Sequence, residues 1–168
     1  IIGPMAPSIG GNVYAIQPVD RGTGYTFTRL LKYKDEAPEA LRHVITTELT
    51  PLHLVCRELH GDNAKEFRGG EMQEMAAEYG IKLTYSPPYV PQLNGKAEVV
   101  HRDTVRIARA LLTAAKLPER FWGEALMMAT HLRNSAPSSS NPNNLSPYEM
   151  FLGSKPDLSQ LRAFGARV

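Results

Sequence analysis

Two carboxylates stand where a chain can turn chemistry outward. Asp62, in His60-Gly61-Asp62-Asn63, directly follows the partly alternating run Leu52 to Leu59 and so falls at a strand end. Glu98 falls in the first turn of a predicted helix, just past a proline-rich stretch. A carboxylate at a strand end and another at a helix start can converge on one hard cation. Mg²⁺ takes few protein oxygens and completes its octahedron with water and phosphate. Two such ions can activate an attacking oxygen and stabilise a leaving one in phosphoryl transfer. Each residue also has an ordinary reading: Asp is common in turns, and Glu in a first helical turn complements the dipole. Spacing alone does not separate the two. On a 3.6-residue wheel, Glu98, Arg102, Arg106 and Arg109 share one stripe, flanked by His101, while Val100, Ile107, Ala108 and Leu111 lie opposite. A carboxylate heading a basic stripe suits a surface that holds a metal and then follows a phosphate backbone. The alternative is a solvated face whose arginines pair with nearby acids.

The elements that must position these residues are readable in outline. Residues 13–19 and Tyr25 to Tyr33 read as two strands joined by the turn Asp20-Arg21-Gly22-Thr23-Gly24. A helix is expected over 35–48, with Ala37, Leu41, Val44 and Ile45 on one side and Pro51 closing it. Leu52 to Leu59 reads as a third strand. Glu71 to Tyr79 is expected to be a short helix ended by Gly80, and Ile81 to Tyr85 a fourth strand. Ser86 to Gly95 is a loop, and a long helix is predicted over Lys96 to Ala115. A second helix begins near Pro118 and would bury Phe121, Trp122, Ala125, Met128, Ala129 and Leu132. Ser146-Pro147-Tyr148-Glu149 has capping-box spacing after a polar loop over 135–145. Strands first, a mixed middle and helices last imply an α/β layer with helices packed on a sheet.

Composition narrows the classes. Apolar residues make up 42% and charged residues 21% of the 168, which is ordinary globular usage and argues against disorder. The formal charge of +2 permits a nucleic-acid partner without requiring one. No apolar run approaches membrane-spanning length, so no membrane partner is expected. Ile1-Ile2-Gly3-Pro4-Met5 lacks the pattern of a signal peptide, and without an initiator Met the chain reads as part of something longer. The lone Cys56 excludes an internal disulfide and reads as a small buried residue on a strand. His43, His53, His60, His101 and His131 show no compact metal spacing. Trp122 reads as a core anchor.

Several motifs together resemble one family. His60-Gly61-Asp62-Asn63-Ala64-Lys65-Glu66-Phe67 resembles the Asp-Asn-x-x-Glu-Phe segment of retroelement integrases. Tyr89-Val90-Pro91-Gln92-Leu93-Asn94-Gly95-Lys96-Ala97-Glu98 is similar to their Pro-Gln-x-Asn-Gly-x-Ala-Glu segment. The 35 residues between Asp62 and Glu98 match the spacing of the last two members of the integrase Asp-Asp-Glu triad. Leu117-Pro118-Glu119-Arg120-Phe121-Trp122-Gly123-Glu124-Ala125, Ser146-Pro147-Tyr148-Glu149 and Leu161-Arg162-Ala163-Phe164-Gly165 are similar to copia-type polyproteins rather than retroviral ones. Gly3-Pro4-Met5 fits the exit of the family's first strand. The resemblance runs from Gly3 to Gly165.

That resemblance implies a ribonuclease-H-like fold: a mixed five-stranded sheet flanked by helices, with the first strand largely outside this chain. It implies a catalytic core over residues 1–135 and a copia-type extension over 136–168. It implies Mg²⁺ or Mn²⁺ held by Asp62 and Glu98, and joining of element DNA 3′ ends to target DNA. Arg102, with Arg106 and Arg109 along the same helix face, would hold DNA; Asn94 and Gly95 would shape the loop over the site. The partners implied are element and target DNA, further copies of the chain and the rest of the polyprotein, with the nucleus as the place of action after a cytoplasmic particle stage.

The pattern also departs from the family. Its first aspartate would fall immediately before Ile1, so the chain as it stands is expected to be inactive. Asp20 is not expected to replace it, since its turn belongs at the end of the hairpin away from Asp62. Pro18 interrupts an interior strand, Ala64-Lys65 replaces glycines, and Val99-Val100 replaces residues that are often basic. These departures keep a second reading open: a non-catalytic remnant with residual nucleic-acid binding. A generic nuclease of the same fold is a third.

Overall fold

The computed structural model describes residues 1–62, 65–86 and 95–166, with only the backbone at 65 and 66. The chain forms two compact units, Ile1–Leu30 with Lys96–Val168, and Leu31–Gly95. Among the described residues no helix is long and apolar enough to cross a membrane.

The first unit is built on a hairpin. Strand β1 (Tyr14–Ile16) pairs with β2 (Arg29–Leu31), and Val19 bridges Thr26 antiparallel nearer the turn. Both backbone polar groups of Ala15 bond Ile2, at 2.7 and 3.0 Å, so the chain start runs antiparallel along the other edge of β1. The hairpin ladder is shorter than the expected runs. Pro18 has no N–H to donate, yet its carbonyl accepts from the Phe27 amide at 3.0 Å, so pairing resumes beyond it. Asp20 closes the turn through its own carboxylate, which accepts from the Thr23 amide and hydroxyl at 2.8 and 2.7 Å.

Two long helices cover this hairpin. Helix α4 (Gly95–Ala115) buries Val100, Thr104 and Ala108. Helix α5 (Trp122–Ser135), entered through a short 3₁₀ turn at Glu119–Phe121, buries Trp122, Ala125, Leu126, Ala129, Thr130 and Asn134. Ala15, Ala108, Trp122, Ala125, Leu126 and Ala129 form one apolar core. The Trp122 indole N–H donates to the Ala6 carbonyl at 2.7 Å, which settles its polar end and makes it the expected anchor. A buried polar seam fixes α5 on the hairpin: Gln17 donates to Thr28 and Thr130, and Asn134 exchanges two bonds with the Thr26 backbone. Helix α6 (Pro147–Leu152) starts from the predicted capping box, with Ser146 and Glu149 each bonding the other's amide.

The second unit holds the remaining strands. Helix α1 (Ala37–Val44) turns Ala37, Pro38, Leu41 and Val44 inward. It continues as a π-helical turn, Ile45–Leu49, and a 3₁₀ turn, Thr50–Leu52. The hydroxyls of Thr46, Thr47 and Thr50 bond carbonyls one turn back, which sustains this winding through a stretch partly expected to be strand. Strand β3 is therefore Glu58–Gly61 and not Leu52 to Leu59. Cys56 lies ahead of it and is half-exposed, so it is neither buried nor on the strand as expected. A short helix α2 (Lys65–Arg68) and α3 (Gly70–Glu78) follow. Gly80 takes the left-handed conformation that ends α3, and β4 (Lys82–Tyr85) runs parallel to β3 in the register Gly61 to Tyr85. The described strands thus form two two-stranded sheets and two bridges, a more divided arrangement than a continuous five-stranded sheet.

Candidate active site

Asp62 stands at the exit of β3 and is exposed. Its neighbours hold that exit from both faces. On one face, Gly61 packs close to Phe67, where an added Cβ would meet the ring at 3.4 Å. The Tyr85 hydroxyl donates to the Phe67 carbonyl at 2.8 Å, and the Arg68 guanidinium lies 5.3 Å from the Tyr85 ring centre. On the other face, His60 is bonded to the Thr84 and Ser86 hydroxyls at 2.9 and 3.0 Å. Sequence reasoning treated His60 only as a histidine without metal spacing; the alternation that puts 58, 60 and 62 on one strand face was the available signal.

Glu98 is exposed in the first turn of α4. Arg102, Arg106 and Arg109 follow it on the exposed side, while Val100, Thr104 and Ala108 face the core. Arg106 makes a long ion pair with Asp103 at 3.6 Å. The start of α4 is pinned by Lys96, whose ammonium donates to the Arg21 carbonyl at 2.7 Å and lies 3.4 Å from that of Gly22. The turn carrying Asp20 is therefore beside the start of α4. Asp20 is the turn residue it is read to be, its carboxylate bonded to the Thr23 amide and hydroxyl.

One turn after Glu98, the His101 ring donates from Nε2 to the Gln17 carbonyl at 2.9 Å. Burial is the largest influence on this imidazole and lowers its pKa; the Gln17 bond opposes that. Arg133 lowers it further and Glu98 raises it. With Ile2 opposite Ala15 in an antiparallel pair, a residue joined to the amino side of Ile1 would stand opposite Gln17.

Glu98, Arg102, Arg106 and Arg109 are thus brought onto one surface, while Asp62 belongs to the other unit. Asn94 lies outside the described residues. No group of three or more His, Cys, Asp or Glu that could hold an ion occurs among the described residues. The two candidate ligands are exposed carboxylates, which suits a hard divalent ion that keeps water and phosphate ligands better than a closed all-protein cage.

The family described as the TnsB C-terminal domain matches residues 15–113. The chain is 32% identical over 171 residues to the retrovirus-related Pol polyprotein from transposon TNT 1-94 of Nicotiana tabacum, covering 100% of this chain and 13% of that protein. It is 30% identical over 160 residues to the corresponding polyprotein from transposon RE2 of Arabidopsis thaliana, covering 94% of this chain and 11% of that one. The chain therefore spans only a small part of these relatives. The crystal structure of the catalytic core domain of BIV integrase superposes with a TM-score of 0.65 at 20% identity, covering 83% of this chain and 85% of that one, a likeness of fold. The chain is thereby ribonuclease-H-like in fold, belongs to the family of the TnsB C-terminal domain and is similar along its length to a short stretch of the retrovirus-related Pol polyproteins of plant transposons.

Proposed function

We propose that this chain is the core of a polynucleotidyl transferase that joins the 3′ ends of element DNA to target DNA. The observation that carries this reading is the exposed face of α4, where Glu98 heads a line of three arginines while the opposite face is committed to the core. Asp62 and Glu98 would hold Mg²⁺ or Mn²⁺. Bound divalent ions would supply activation of the attacking 3′-hydroxyl and stabilisation of the leaving oxygen. Arg102, Arg106 and Arg109 would hold phosphates and set the register of the DNA along the helix. Lys96 and His101 would fix the start of α4 on the hairpin, so that Glu98 need not reorganise when DNA arrives. An aspartate joined ahead of Ile1 would, by the register of Ile2 with Ala15, stand opposite Gln17, whose carbonyl His101 of α4 bonds. Action in the nucleus, as several copies and after release from the polyprotein, completes the proposal.

The test is strand joining with the chain extended so that aspartate precedes Ile1, supplied with Mn²⁺, a 3′-hydroxyl duplex end and plasmid target. Joining is expected, and Asp62→Asn and Glu98→Gln should each abolish it with the circular dichroism unchanged. Retained joining in either variant removes that residue from the site. A folded extended chain that binds DNA without joining is the remnant. Cleavage of RNA–DNA hybrids without joining is the generic nuclease.

A further inference from the structure

His60 sits in a directed line of hydrogen bonds that the proposed chemistry does not require. The Thr84 hydroxyl donates its one proton to a Glu58 carboxylate oxygen at 2.8 Å. Thr84 can then only accept from His60 Nδ1, 2.9 Å away, so Nδ1 carries a proton. A neutral imidazole protonated there presents Nε2 as an acceptor, and the Ser86 hydroxyl lies 3.0 Å from it. With the imidazole neutral, the line runs Ser86 to His60 to Thr84 to Glu58. It crosses the parallel pair on the face that carries residues 58 and 60 of β3 and residue 84 of β4. Ser86 is also held through its backbone, its amide donating to the Gly61 carbonyl at 3.0 Å. His60 thus grips, by side chain, the residue whose main chain grips the strand position just before Asp62.

We propose that His60 is a positioning residue: as its Nδ1–H tautomer it locks the exits of β3 and β4 together and so holds the backbone on which Asp62 is mounted. The proposal rests on reading Asp62 as a cation ligand for its consequence, and on the hydrogen-bond line for its cause. Gly61 and Tyr85 are the last paired residues of the two strands among the described residues, and a side-chain tie at this point adds to the Ser86–Gly61 main-chain bond in restraining the exits.

The test uses the 168-residue chain and three readouts. Nitrogen-15 spectra should show His60 protonated at Nδ1 and bare at Nε2; a proton on Nε2 overturns the proposal. In His60→Phe, exchange at the Ser86 amide should rise about tenfold, the worth of one hydrogen bond, while the Lys82 amide at the far end of the pair keeps its protection. Mn²⁺ line-broadening at Asp62 should then need more Mn²⁺ in His60→Phe than in the parent, with His60→Gln, whose amide can reach Ser86, recovering part of the difference. Unchanged Ser86 exchange, or loosened exchange with an unchanged Mn²⁺ midpoint, overturns it. If His60→Phe loses protection at both amides, Ser86→Ala decides, since it should loosen the exit with the His60 tautomer retained. No broadening at Asp62 in the parent would fail the cation reading alone, leaving tautomer and exchange to judge the tie.

Discussion

Arg102 and Arg106 sit on the same exposed face with different surroundings. Arg106 shares its charge with Asp103, whereas Arg102 follows Glu98 by one turn and faces solvent. A phosphate contact displaces condensed counterions, so its loss shows in the salt dependence of binding more clearly than in one affinity. Arg102→Ala should weaken duplex DNA binding across sequences and reduce the log–log salt slope by about one unit. Titrations at several salt concentrations check this, and an unchanged slope means Arg102 does not touch phosphate. The residue scale is also where reading from sequence was strongest and weakest. The exposed stripe of α4 follows from periodicity alone. The neighbourhood of Asp20 does not, because a turn is recognised by local chemistry while its packing partner, Lys96, lies far along the chain.

At the scale of elements, legibility tracked the presence of local punctuation. Helix α3 ends at Gly80 because that residue takes a positive φ freely, and α6 begins at Ser146 because its side chain satisfies an amide the helix leaves open. Ser146→Ala removes both the hydroxyl that accepts from the Glu149 amide and the donor to its carboxylate, at 3.1 and 2.8 Å. Urea unfolding should show a loss of about 1 kcal/mol, in the usual range for a missing N-cap; no change in midpoint would mean the cap is redundant. The Ser146 amide, and after it the Ser146 hydroxyl, donate to the Glu149 carboxylate and hold it below its ordinary range. Where punctuation was absent, the reading drifted. The stretch from Ile45 to Arg57 has no glycine and a single proline, and its threonines can serve strand or helix. Hydroxyls bonding back one turn decided for winding, and β3 starts later than the apolar pattern suggested. Asp62 kept its place because Gly61, the last residue of β3, is held in register opposite Tyr85 of β4.

At the scale of the molecule, the first unit joins the chain's two ends across an interval of more than sixty residues that belongs to the second. The tail takes part in that unit's packing. Tyr25 stacks on Phe151 with ring centres 4.5 Å apart, Phe27 meets Phe151 edge-on at 5.7 Å, and Tyr148 closes the group. Asn141 ties the connecting loop by donating to the carbonyls of Thr23 and Leu145, both at 3.1 Å. A division at 135/136 separates these partners. Removing residues 136–168 would expose Tyr25 and Phe27, each stripped of an aromatic neighbour, on a hairpin that also seats α4. Burial of two aromatic side chains is worth about 3 kcal/mol or more, a large share of the roughly 5–15 kcal/mol that holds a domain folded. The shortened chain should therefore melt earlier, with Trp122 fluorescence shifting to the red as the first unit loosens. Tyr25, whose burial raises its hydroxyl pKa above the usual tyrosine value with Tyr148 adding to it, should titrate closer to that value. Phe151→Ala should move both readouts in the same direction by less. An unchanged melting temperature with unchanged Trp122 emission would show that residues 1–135 stand alone and that the tail is an appendage; the stacked rings of Tyr25 and Phe151 argue that it is part of the platform on which α4 presents Glu98.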